Sequence, residues 1–148
     1  MNLPRNILVP TDFSRHAEHA LEYAVELAAK LDARIHLLNV VGLPIMGPEL
    51  GFAVTPSMID SVMEGNQKEL DRLAGVYGTK AAFAPTQLRA GDARSVIEAV
   101  ADEVKADLII MGTHGRRGVS RMILGSVAES VVRTAPCPVL LVRAEVNP

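Results

Sequence analysis

Apolar residues fall along this chain in two alternating rhythms. Ile7-Leu8-Val9 is a short unbroken run closed by Pro10. Runs without polar alternation suit strands covered on both faces, as inside a parallel sheet. The period then changes. Ala17, Ala20, Leu21, Ala24, Val25, Ala28 and Leu31 recur at helical spacing, with Arg15, Glu18, Glu22, Glu26 and Lys30 opposite them. Ser14 stands where a side-chain oxygen can cap the first turn. The pattern predicts an amphipathic helix lying on a sheet. After Asp32-Ala33, the run Ile35 to Val41 predicts a second strand. Strand, helix, strand in that order implies a right-handed crossover and parallel pairing.

The alternation continues to the end of the chain. Ser57 opens a predicted second helix, with Met58, Ile59, Val62, Met63, Leu70, Leu73, Ala74 and Tyr77 as candidate apolar contacts and Gly65 weakening its middle. Phe83 to Ala90 predicts a third strand, and Pro85 within it removes a ladder donor, which suits an edge. Asp92 caps a third helix that buries Val96, Ile97, Val100, Ala101 and Val104. Leu108 to Met111 predicts the fourth strand, about Ser126 to Thr134 the fourth helix, and Pro138 to Val142 the fifth strand. Five strands alternating with four helices predict an α/β fold: one doubly wound, open parallel sheet with helices on both faces. The longest irregular stretch, Gly42 to Pro56, is either a surface excursion or a flap over a ligand.

The chemistry gathers after the fourth strand, in DLIIMGTHGRRGVSRMILGSV, Asp107 to Val127. A strand that breaks at a glycine, passes through a glycine-rich loop and feeds a helix N-terminus can take an anion. Glycines let the backbone approach, and the first helical turn has unpaired N–H groups. The spacing Gly112-x2-Gly115-x9-Gly125-Ser126 is not a Walker loop, for no Lys-Ser or Lys-Thr follows, and it lacks the dinucleotide fingerprint's opening G-x-G. A purely structural turn is the alternative, but Arg116 and Arg117 beside the glycines favour phosphate.

That glycine pattern, followed by SVAESVV and APCPVLLVR, resembles the universal stress protein family in its ATP-binding branch; members that do not bind ATP lack the motif. ILVPTDFS near the start and RAGDARSVIEAVADEVKADLIIMG in the middle match the same family, so the resemblance runs from about Asn6 to Arg143. It implies strand order 3-2-1-4-5, which agrees with the proline-bearing third strand at an edge. The order reverses between strands one and four, where ligands of such sheets bind.

The resemblance then assigns residues. Pro10 and Thr11 line the adenosine end, Val40 meets the base through its backbone, and Met111 and Gly112 border it. Gly115, Arg116, Gly125, Ser126 and Val127 match the phosphate-contacting part. Asp12, beside the phosphate loop, could accept from ribose hydroxyls or help hold Mg2+; helix capping is its alternative role. His114 either bonds phosphate or shapes the loop. Arg117 and Arg121 have no firm assignment. The family also forms dimers through the last strand, which implies an antiparallel homodimer across an apolar edge.

Composition narrows the classes. A chain of 148 residues fits one domain, 1–148. A net charge of −2 argues against nucleic acid as the main partner, and no apolar run is long enough to span a bilayer. No signal layout opens the chain, and the single Cys137, between Pro136 and Pro138, reads as a buried inert thiol, so the cytoplasm is expected. His16 and His19 have chelate spacing but no evident third ligand, and no nucleophile elbow occurs. The expected function is an ATP-binding stress protein acting through partners with slow or no hydrolysis. It lacks a P-loop lysine and an assigned general base. An ATP hydrolase or nucleotidyl-transfer enzyme, and a nucleotide-independent dimeric adaptor, are the alternatives. Cyclic AMP is a further candidate ligand.

Overall fold

The computed structural model describes residues 2–42, 55–114 and 124–144. The described residues run β1 (Asn6–Pro10), α1 (Arg15–Leu31), β2 (Arg34–Val41), α2 (Pro56–Tyr77), β3 (Ala82–Phe83), β4 (Gln87–Ala90), α3 (Ala93–Glu103), β5 (Leu108–Gly112), α4 (Ser126–Thr134) and β6 (Val139–Val142). All strand pairs are parallel, in the order β3-β2-β1-β5-β6, with β4 also on β2.

The expected third strand is therefore two. Ala84 still donates its N–H to the Ile35 carbonyl at 2.8 Å. Pro85 has none to give, so the ladder lapses and resumes at Gln87, opposite Leu38. Counting β3 and β4 as one interrupted edge recovers the expected 3-2-1-4-5 order among six strands rather than five.

Side-chain alternation divides the core into two layers. Ile7, Val9, Ile35, Leu37 and Ile110 pack with Ala20, Leu21 and Ala24 of α1 and Leu70 and Leu73 of α2. Leu8, Leu38, Ile109 and Met111 pack with Ile97 and Val100 of α3 and Ala128 and Val131 of α4. Each large side chain buried there contributes about 1.5–3 kcal/mol.

The caps follow sequence chemistry with one correction. Ser14 Oγ accepts from the Ala17 N–H at 3.2 Å, and Asp92 accepts from the Ser95 N–H at 3.2 Å. Helix α2 starts earlier than expected. Thr55 is its cap, accepting from the Met58 N–H, and Pro56 takes the first position, where a missing N–H costs nothing. Only Leu70, Leu73 and Tyr77 of α2 are buried; Met58 and Val62, expected as contacts, are about half exposed. The apolar positions in the first half of α2 drift off the face that meets the sheet. At the far end of β5, Asp107 accepts from the Arg5 and Asn6 N–H groups at 2.9 Å each, and these two bonds hold its carboxyl below the usual range. No described helix is long and apolar enough to cross a membrane.

Candidate functional site

Strand order reverses at β1, which has β2 on one side and β5 on the other. Helix α1, after β1, and helix α4, after β5, leave the sheet to opposite faces there, and the C-terminal strand ends open into a crevice. A cavity of about 360 Å³ fills it, within the size range of small-molecule sites. Pro10, Thr11 and Asp12 enter it from the end of β1, Val40 from β2, Met111, Gly112 and His114 from the end of β5, and Gly125, Ser126 and Val127 from the start of α4. Ten residues expected from the sequence thus share one wall system. Gly115 and Arg116 lie outside the described residues, as do Arg117, Gly118, Arg121 and the segment 43–54.

The turn after β1 is held from several directions. The Thr11 N–H donates to the Leu38 carbonyl at 2.7 Å. Thr11 Oγ1 accepts from the Phe13 N–H at 3.1 Å, and Asp12 Oδ1 accepts from the Ser14 N–H at 2.9 Å. Asp12 therefore supports the helix entry while lining the cavity; the capping and ligand roles are compatible. Phe13 sits at φ 65°, a left-handed conformation that costs a bulky residue roughly 1–3 kcal/mol.

Opposite this turn, α4 begins at Gly125, which has no side chain to cap it. The Gly125 N–H donates to the Thr113 carbonyl at 2.8 Å, fixing the helix start against the end of β5. The first-turn N–H groups, with the positive end of the helix dipole, belong to residues that line the cavity.

Gly112 has a second reason to be glycine. A Cβ there would stand 3.0 Å from the His16 carbonyl oxygen and 3.2 Å from its carbon, backbone atoms of α1 that cannot swing aside. The first glycine of the motif thus lets α1 lie close over the end of β5 as well as bordering the cavity. The His16 and His114 rings meet there with centroids 5.7 Å apart, tilted by 55°. Thr113 Oγ1 and His114 Nδ1 are 3.0 Å apart, so His114 at least shapes this corner. His19 points elsewhere, with Nδ1 3.7 Å from the Glu22 carboxylate.

Sequence reasoning missed Ala17, Leu38, Ala93, Ile97, Thr113 and Ala128 on the cavity wall. Leu38 and Ile97 read only as core positions, and they are that too. Small Ala93 opens α3 directly after the Asp92 cap, which brings the helix start to the crevice. The β2–α3 side is consequently apolar (Leu38, Val40, Ala93, Ile97), and the β5–α4 side presents backbone donors and hydroxyls. A ligand with a flat apolar end and an anionic end matches this asymmetry.

Other titrating groups lie off the cavity. Cys137 is half-buried, and burial, then Asp107 and Asp102, push its thiol up, as fits an inert cysteine. Burial and the carboxylates of Glu22 and Glu18 push Tyr77 up to about 12.

The universal stress protein family profile matches residues 4–143. Universal stress protein MJ0531 of Methanocaldococcus jannaschii is 34% identical over 148 residues, covering 96% of this chain and 84% of that protein. The solved structure of hypothetical protein MJ0577 superposes with TM-score 0.84 at 25% identity, covering 97% and 98% of the two chains. A universal stress protein solved in complex with cAMP superposes with TM-score 0.67 at 24% identity, covering 96% and 98%.

Proposed function

The chain belongs to the universal stress protein family, and from that premise we propose that it is an ATP-binding regulator, a single cytoplasmic domain that acts through a homodimer with slow or no hydrolysis. One observation carries the reading. A nucleotide-sized cavity has an apolar β2–α3 side, the Asp12 turn beside it and the uncapped start of α4 across from that turn. In this reading the base lies against Val40, and Asp12 faces the ribose or helps hold Mg2+. The N–H groups of Ser126 and Val127 meet the phosphates, completed by Gly115 and Arg116. Cyclic AMP, the ligand of one related protein, is the second reading.

Mass spectrometry of the small molecule that co-purifies from cells, followed by calorimetry with ATP and cAMP, tests it. ATP should bind, and Asp12→Ala should weaken it by roughly tenfold or more, the scale of a hydrogen bond to a charged group. Tighter binding of cAMP would select the second reading. Rapid phosphate release would make the protein a hydrolase. Silence to both nucleotides at millimolar concentration would leave the adaptor reading.

A further inference from the structure

The Thr11 carbonyl belongs to a buried residue at the point where the chain leaves the sheet. It is met by a side chain: Asn39 of β2 donates Nδ2–H to it at 2.8 Å. Asn39 is itself only 3% exposed. A carbonyl can only accept, so the amide nitrogen of Asn39 must face Thr11 and its Oδ1 must face away. That oxygen accepts from Nδ2 of Asn66, on α2, at 2.9 Å. Both ends of one buried amide are therefore fixed, one on the turn that carries Asp12 and the other on a helix whose residues do not line the cavity.

The first half of α2 needs such a link. Its buried apolar residues all lie at or beyond Leu70, and Met58 and Val62 are half exposed. Gln67, beside Asn66, donates to Thr86 Oγ1 at 3.1 Å. Polar bonds thus tie the middle of the helix to β2 and to the break between β3 and β4. At the other end of the relay, Phe13 occupies its left-handed conformation just past Asp12, and such a turn persists only while its surroundings over-determine it.

We infer that Asn66, acting through Asn39, is a positioning residue for the Thr11–Asp12 turn, so that the seating of α2 and ligand affinity at the cavity are coupled. The coupling to affinity rests on the nucleotide reading above; the control of the turn does not. By linkage, a ligand in the cavity steadies the first half of α2 as much as α2 steadies the ligand.

The test uses the full chain, with Lys68→Ala, on the exposed face of the same helix, as the control. In ligand-free protein, Asn66→Ala should move the amide resonances of Thr11, Asp12 and Phe13, and Lys68→Ala should not. In calorimetry, Asn66→Ala should weaken ATP about fivefold, the scale of one lost hydrogen bond. Asn39→Leu should weaken it more, and the double variant no more than Asn39→Leu alone. ATP should slow amide exchange over residues 56–66 in the wild type and lose that effect in Asn66→Ala. Unmoved turn resonances in Asn66→Ala, or equal movement in Lys68→Ala, would overturn the inference, as would undiminished ATP affinity in Asn66→Ala. Should Asn39→Leu not fold, the less buried Asn66 position still decides. Should the wild type not bind ATP, the nucleotide reading falls, and the resonances alone judge the relay.

Discussion

At the scale of single residues, two positions show how much one atom can decide. Gly112 is pinned by the backbone of α1 and not by its own dihedral angles. Gly112→Ala should therefore force α1 and β5 apart, costing about 1–3 kcal/mol of stability, the range for overpacking. Urea denaturation measures it, and an unchanged midpoint would mean that α1 has slack. His36 decides a pH dependence. It is buried, with Nε2 3.0 Å from Asn6 Oδ1, and burial, then the nearby Arg34 charge, lower its pKa. The unfolded imidazole therefore binds a proton more readily than the folded one. Stability should fall as pH drops below about 6.5, the ordinary value of an imidazole, and level off below the lowered value of the folded state. Denaturation midpoints at pH 8 and pH 5 should differ less in His36→Gln than in wild type. The asparagine pair Asn39 and Asn66 was not legible beforehand. Neither belongs to a motif, and the Asn66 partner lies 27 positions away.

Elements were legible where hydrophobic period and cap chemistry agreed, and less so where they parted. Ser14 and Asp92 each precede a clear apolar stripe, and α1 and α3 begin directly after them. In α2 the apolar residues ran past the face that reaches the sheet, so pattern alone named contacts that are solvent-exposed. The interruption at Pro85 followed from a proline already noticed, but reading one strand as two needed the register against β2. Helix α2 also carries an avoidable weakness. A Cβ on Gly65 would meet nothing within 4 Å. Gly65→Ala should stabilise the protein by about 1 kcal/mol, the helix-propensity difference, raising Tm by roughly 3 °C at this chain length. Calorimetric melting checks it, and no rise would show that α2 resists the substitution for a reason its surroundings do not reveal.

For the whole molecule, the site was legible because glycine spacing and topology converge. The reversal of strand order sends β1 and β5 to one crevice, and Gly112 at the end of β5 and Gly125 and Ser126 at the start of α4 border it. The apolar wall from α3 was not legible, since Ile97 and Leu38 look the same in sequence whether they face a core or a cavity. The Pro138 and Val142 carbonyls accept from the Ile109 and Thr113 N–H groups of the β5 side. Alternation along a strand then turns the backbone groups of Val139 and Leu141 outward. If copies pair through β6, Leu141→Pro removes an outward donor and leaves the bonds to β5 in place. Sedimentation should then show monomers, and an unchanged dimer would exclude that border.

The interrupted strand at Pro85 has a consequence for how many copies can join. Proline and the lapse after Ala84 break the outer row of hydrogen-bonding groups on that flank of the sheet, and β6 forms the opposite flank. If two copies zip together by β6, the flank left facing water among the described residues is the blunted one. Growth would then halt at a pair, and a fibre would have no end onto which to add.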